Sequence, residues 1–118
     1  MLKHDRINYI EFPCRDIPKT RRFFESCFGW TFEDYGPDYS SFSDGDMAGG
    51  FFKSELASTT ASGGTLVVLY SARLEESQSK VVELGGTIAQ PIFAFPGGRR
   101  FHFIEPSGNE LAVWSDAE

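Results

Sequence analysis

The order strand, helix, strand, strand, strand occurs twice along this chain, separated by a run of small and polar residues, SELASTTASGG, at 54–64. A single βαβββ unit leaves one sheet face uncovered, so two such units are expected to pack together and share a core. At 118 residues the chain is long enough for one ordinary domain and too short for two. The expected architecture is one α+β domain over 1–118, with module one at about 7–54, a linker at 55–63 and module two at about 64–115. Its curved mixed sheet should enclose a cleft, because twisted sheets covered by helices on one face are concave on the other.

The local signals behind this order are specific. INYIEFPC at 7–14 alternates as a half-buried strand does, and Pro13 interrupts the ladder. Asp16 is placed to cap a helix with Pro18 in its first turn; Ile17, Thr20, Phe24 and Cys27 or Phe28 follow at helical spacing, and Gly29 stops it. Strands are expected over 30–35, 39–43 and 47–53, joined by the turns Gly36-Pro37-Asp38 and Asp44-Gly45-Asp46. The second unit repeats the order with a strand over 65–70, a helix over 73–84 and strands over 87–92, 99–104 and 110–114. FFESCFGWTF and KVVELGGTIA also align locally between the halves. The run at 54–64 reads as a flexible connection, and the extra residues of module two read as a loop insertion at 93–98.

Seventeen acidic residues against 11 basic ones give a net charge of -6, and the densest basic group, Lys19, Arg21 and Arg22, reads as a solvated helix face. No nucleic-acid partner is expected. No run approaches the roughly 18 apolar residues of a membrane span, and the start of the chain has no signal-peptide core, so the expected place is the cytoplasm and no membrane contact is expected. Cys14 and Cys27 form no C-x-x-C pair and read as buried free thiols.

Three stretches in this order, NYIEFPCRDIPKTRRFFESCFGW at 8–30, the pair Gly49-Gly50, and EPSGNELAVW at 105–114, resemble the glyoxalase, bleomycin-resistance and extradiol-dioxygenase superfamily, also called vicinal oxygen chelate. The resemblance covers nearly the whole chain and is closest to the small single-domain branch. It implies two βαβββ modules, a homodimer, and a divalent metal held in the cleft by His and Glu. The implied ligand positions are Tyr9, Phe51 or Phe52, Leu66 and Ala112, and only Tyr9 offers an oxygen. We therefore expect no cofactor. The alternative is a metal held by His102, Glu11 and Glu110, two of which lie one strand period from the implied positions.

The expected cleft residues are Tyr9, Glu11, Phe42, Phe52, Leu66, Tyr70, Phe101, Phe103, Ala112 and Trp114. Tyr9, Phe42, Tyr70, Phe101, Phe103 and Trp114 supply aromatic faces on strands, but core packing must claim many of the 12 Phe, so about half of these are expected to line the cleft. Glu11 is the candidate catalytic group: facing the cleft it abstracts a proton, and otherwise it pairs with Arg15, Arg99 or Arg100. With only His4 and His102 present, His4 reads as an exposed spectator and His102 as structural. Gly49-Gly50 reads as a bulge or a close backbone approach. The expected function is metal-free binding of a small apolar or aromatic molecule. The alternative is a metal-dependent lyase or dioxygenase, and whether the chain is an enzyme stays open.

Overall fold

The computed structural model describes residues 2–116. The element order is β1(Tyr9–Cys14), α1(Ile17–Phe28), β2(Thr31–Asp34), β3(Tyr39–Ser43), β4(Ala48–Lys53), β5(Val67–Tyr70), α2(Leu74–Glu83), β6(Thr87–Phe95), β7(Gly98–Ile104) and β8(Glu110–Ser115). This is the expected βαβββ order, twice. Each module closes one four-stranded mixed sheet, in the orders β1-β4-β3-β2 and β5-β8-β7-β6. In each, the first strand pairs parallel with the last and the other pairs are antiparallel.

Helix α1 starts where Asp16 accepts a hydrogen bond from the Lys19 amide at 3.1 Å, and it ends on Gly29, whose φ of 73° places it in the left-handed region. Its apolar stripe, Ile17, Phe23, Phe24 and Cys27, is buried. Phe24 stacks on Trp30 with ring centroids 4.4 Å apart, and Trp30 stacks on Phe42 at 4.6 Å, so helix and sheet one share a continuous aromatic column. Phe23 and Phe28 reach the other way and contact Phe103 of sheet two. Helix α2 lies against β6, β7 and β8 and touches α1. The helices therefore sit between the two sheets, and each sheet turns its phenylalanine-rich face inward and its other face outward.

A buried polar knot joins the modules at the turn between β7 and β8. The Glu105 carboxylate, 2% exposed, accepts from Thr20 Oγ1 at 2.7 Å, from the Ser107 amide at 2.6 Å and from Asn109 Nδ2 at 2.6 Å. Asn109 Nδ2 also donates to the Pro13 carbonyl at 2.7 Å, while its Oδ1 accepts from the Ser58 amide at 2.8 Å. Burial raises the Glu105 carboxyl above its ordinary range against these hydrogen bonds, which act to lower it. The EPSGN stretch is thus a structural clasp between the two halves.

Two expectations are corrected. The connection at 54–64 is pinned rather than free: the Glu110 amide bonds to the Ser58 carbonyl, the Gly64 amide to the Thr59 carbonyl, and Thr60 bonds to the Glu110 side chain. Small polar side chains suit a loop that must donate to a buried strand as well as they suit a flexible one. The residues at 93–98 are not a loop insertion. β6 continues to Phe95 and a two-residue turn leads into β7, while the surplus is absorbed by register shifts between Ile88 and Gln90 and between Gln90 and Phe93. Pro91 falls inside the second irregularity, where the ladder needs no amide from it.

Candidate functional site

Alternation along β1 turns Ile10, Phe12 and Cys14 toward the helices and Tyr9 and Glu11 toward the outer face. The ladders carry that parity across sheet one, placing Tyr39 opposite Phe52, and Gly50 opposite both Glu11 and Ser41. On this face Tyr39 Oη donates to Glu11 Oε2 at 2.8 Å and lies 2.6 Å from Tyr9 Oη. With the Tyr39 hydrogen committed to the carboxylate, the Tyr9 hydroxyl donates to Tyr39. Burial, followed by the bonds to Tyr9 and Glu11, pushes the Tyr39 hydroxyl well above its ordinary range. Gly50 is what permits this arrangement, because a Cβ there would collide with the Tyr39 hydroxyl. The arginines expected to pair with Glu11 are elsewhere: Arg15 donates to the Ser107 carbonyl, Arg99 pairs with Glu75, and Arg100 stacks on Phe93 and Phe95.

The outer face of sheet two is built by the same parity from Arg100 and His102 on β7, Glu110, Ala112 and Trp114 on β8, and Val68 and Tyr70 on β5. His102 and Glu110 form a buried pair, Nδ1 to Oε2 at 2.8 Å, with side chains 4% and 6% exposed. The other Glu110 oxygen accepts from the Thr60 amide and the Thr60 hydroxyl, each at 2.8 Å. Burial alone would raise this carboxyl, yet the bonds from His102 and Thr60 hold it below its ordinary range. The ionised Glu110 fixes the ring hydrogen of His102 on Nδ1. Tyr70 packs edge-on against Trp114 at 5.3 Å, and Phe95 lies 6.2 Å from Trp114.

The structure sorts nine of the ten expected cleft residues into three places. Tyr9, Glu11 and Phe52 share the outer face of sheet one, and Tyr70, Ala112 and Trp114 share that of sheet two. Phe42, Phe101 and Phe103 lie on the inner faces within the core, being 5%, 0% and 0% exposed. Leu66 directly precedes β5. Between the modules, along β1 and β5, a cavity of about 510 Å³ is walled by Phe12, Phe28, Trp30 and Leu69 and, of the expected cleft residues, by Phe42 and the edge residue Tyr70, with Asp44 and Asp46 also lining it. Sequence reasoning missed Tyr39, Thr60, Arg100, Phe93 and Phe95. Arg100 was legible from parity, two residues before His102 on one strand; Thr60 and Tyr39 were not, because only folding brings them to Glu110 and Glu11.

The model of the Glyoxalase/Bleomycin resistance protein/Dioxygenase superfamily matches residues 6–113. The chain belongs to this superfamily. No curated protein matches its sequence. Among solved structures it is similar to a glyoxalase-related enzyme from Fulvimarina pelagi, with 14% identity and a TM-score of 0.78 over 94% of this chain and 88% of that one. It is also similar to a glyoxalase/bleomycin resistance protein/dioxygenase family enzyme from Burkholderia phytofirmans, with 14% identity and a TM-score of 0.78 over 92% and 96% of the two chains. A mutant of the fosfomycin resistance protein FosX from Listeria monocytogenes, complexed with Mn(II) and 1S,2S-dihydroxypropylphosphonic acid, is 14% identical, with a TM-score of 0.79 over 100% and 93%. At these identities the likeness concerns the fold.

The superfamily implies a metal, and within one chain the described donors do not converge to hold one. Of the implied ligand positions, Ala112 is apolar and lies between Val68 and His102, while Tyr9 sits on the other sheet. The alternative set of His102, Glu11 and Glu110 is not assembled within the chain, because Glu11 is on sheet one and takes the Tyr39 hydrogen, whereas His102 and Glu110 bond to each other. Among the described residues no three His, Cys, Asp or Glu side chains converge.

Proposed function

We propose that this superfamily member is a homodimeric small-molecule binding protein. Each cleft joins the outer face of sheet one from one copy to the outer face of sheet two from the other, and it takes an apolar or aromatic compound through side chains alone. One observation carries the reading: the two faces that hold Tyr9, Glu11, Tyr39 and Phe52 and Tyr70, Arg100 and Trp114 lie on opposite sides of the helices, so one chain cannot bring them together. A second copy can, and the homodimer implied by the family resemblance supports that step. Two buried cysteines left as free thiols suit the reducing cytoplasm, where we place the protein.

A second reading uses the inter-module cavity, whose volume of about 510 Å³ lies within the usual range for a small-molecule site. The two tryptophans separate the readings, since Trp30 lines the cavity and Trp114 the outer face. The experiment combines light scattering, a thermal-shift screen of aromatic and apolar compounds, and titration of Trp30→Phe and Trp114→Phe with the best hit. The proposal expects a dimer, a saturable rise in Tm and quenching of Trp114 emission; quenching of Trp30 alone moves the site to the cavity. A monomer, or a screen in which no compound raises Tm, refutes it. A near-stoichiometric divalent metal in protein purified without chelators refutes the metal-free part.

A further inference from the structure

Two buried polar atoms on the outer face of sheet two, Arg100 Nε and His102 Nε2, have no hydrogen-bond partner among the described residues. Leaving such groups unpaired is costly, and native structures seldom do so without a reason. The two residues alternate along β7 and so share one face, about 7 Å apart along the strand. The Arg100 guanidinium is held over Phe93 and Phe95, 5.3 Å and 5.7 Å from their ring centroids, and it has no ion pair among the described residues. Rings over a guanidinium occupy its flat faces and leave its N–H edge free for in-plane acceptors. His102 is fixed by Glu110 through Nδ1, so Nε2 is the one polar atom of the ring left for a ligand.

We infer that Arg100 and His102 form a subsite for the carboxylate of an aromatic acid, with the aromatic body resting on Trp114, Tyr70 and Phe95. The inference rests on the proposed reading of this face as a ligand wall and adds the chemical class of the ligand. A planar two-oxygen head matches the guanidinium edge, which donates to it. A bound carboxylate has no hydrogen to give, so His102 Nε2 meets it only as a donor while Nδ1 donates to Glu110. The aromatic body is placed by the ladder, which sets Trp114 opposite Arg100 and Tyr70 beside Trp114.

The test is nitrogen-15 NMR of the arginine Nε–H signals in the full-length protein, titrated separately with benzoate, benzamide and phenylphosphonate. Benzoate should shift the Arg100 signal saturably, and benzamide should bind at least about tenfold more weakly. Arg100→Gln should weaken benzoate by a similar factor and leave the dimer mass unchanged, while Arg22→Gln on the exposed face of α1 should leave binding unaltered. If Arg100→Gln does not fold, the wild-type titration still decides. No benzoate response at Arg100 overturns the subsite, whatever the wider screen shows. Equal binding of benzoate and benzamide overturns it and leaves small-molecule binding standing. A response to phenylphosphonate alone overturns the carboxylate class. Dissociation of the dimer in Arg100→Gln, with no benzoate response in the wild type, assigns the guanidinium to a carboxylate of the second copy.

Discussion

Replacing Asn109 by Asp changes one nitrogen into an oxygen at the centre of the clasp between the modules. Asn109 is 0% exposed and both hydrogens of its Nδ2 are used, one on the Pro13 carbonyl at 2.7 Å and one on Glu105 Oε2 at 2.6 Å, while Oδ1 accepts from Ser58. The variant retains the Ser58 bond and loses the other two, and it sets a second carboxylate against Glu105. Two carboxylates that close cannot both ionise, so the pair retains a proton that the unfolded chain releases. Holding that proton at neutral pH, about three units above an ordinary carboxyl, costs roughly 4 kcal/mol. The lost Pro13 bond adds about 1 kcal/mol. Near pH 4 the proton cost vanishes and the shared proton replaces the Glu105 bond, leaving roughly 1–2 kcal/mol. Urea denaturation at the two pH values measures the difference. At neutral pH the loss is a large part of the roughly 5–15 kcal/mol typical of a domain. A penalty below about 1 kcal/mol at neutral pH, or one that is the same at both pH values, would refute the assigned hydrogen-bond network.

The adjacent glycines should respond differently to alanine. A Cβ at Gly49 meets the Ile10 carbonyl and the Phe42 ring, whereas one at Gly50 meets the end of the Tyr39 side chain. Gly49→Ala should therefore cost more than the roughly 1–3 kcal/mol of ordinary overpacking, and Gly50→Ala less; the reverse order of Tm would contradict the packing. The native Glu110 carboxyl is held below its unfolded value, so its stabilisation is present above the ordinary carboxylate range and is lost as pH falls through that range. Urea midpoints of the wild type and Glu110→Gln should thus converge as pH drops below about 4, and a gap that stays constant would show that the pair carries no such linkage. Burial pushes the Cys27 thiol up to about 11 and raises Cys14 as well. Both should resist iodoacetamide at neutral pH in the folded protein, and rapid native-state labelling of either would contradict their burial.

Much of the fold was legible because its signals are local. The Asp16 cap, the stripe of α1, Gly29 and the turn at Asp44-Gly45-Asp46 each act within a few residues, so the repeated βαβββ order could be read directly and the superfamily followed from it. The connection at 54–64 was misread because its hydrogen-bond partners, Asn109 and Glu110, lie about 50 residues away, and the length of β6 because the register shifts that absorb its surplus residues arise only when it pairs with β7.

The candidate site divides along the same line. Period-two alternation placed Tyr9 with Glu11 on one face of β1 from sequence alone, because a strand's geometry admits no other outcome. Whether a face turns to the helices or away from them depends on which side the crossover helix packs, and that decided the burial of Phe42, Phe101 and Phe103. Composition and order along the chain determined the class of fold and the scarcity of histidine. Tertiary packing alone decided that Tyr39 reaches Glu11 and Thr60 reaches Glu110, contacts between segments 28 and 50 residues apart, and that Arg100 is left on an aromatic bed without an ion pair among the described residues, which depends on which sheet face is covered.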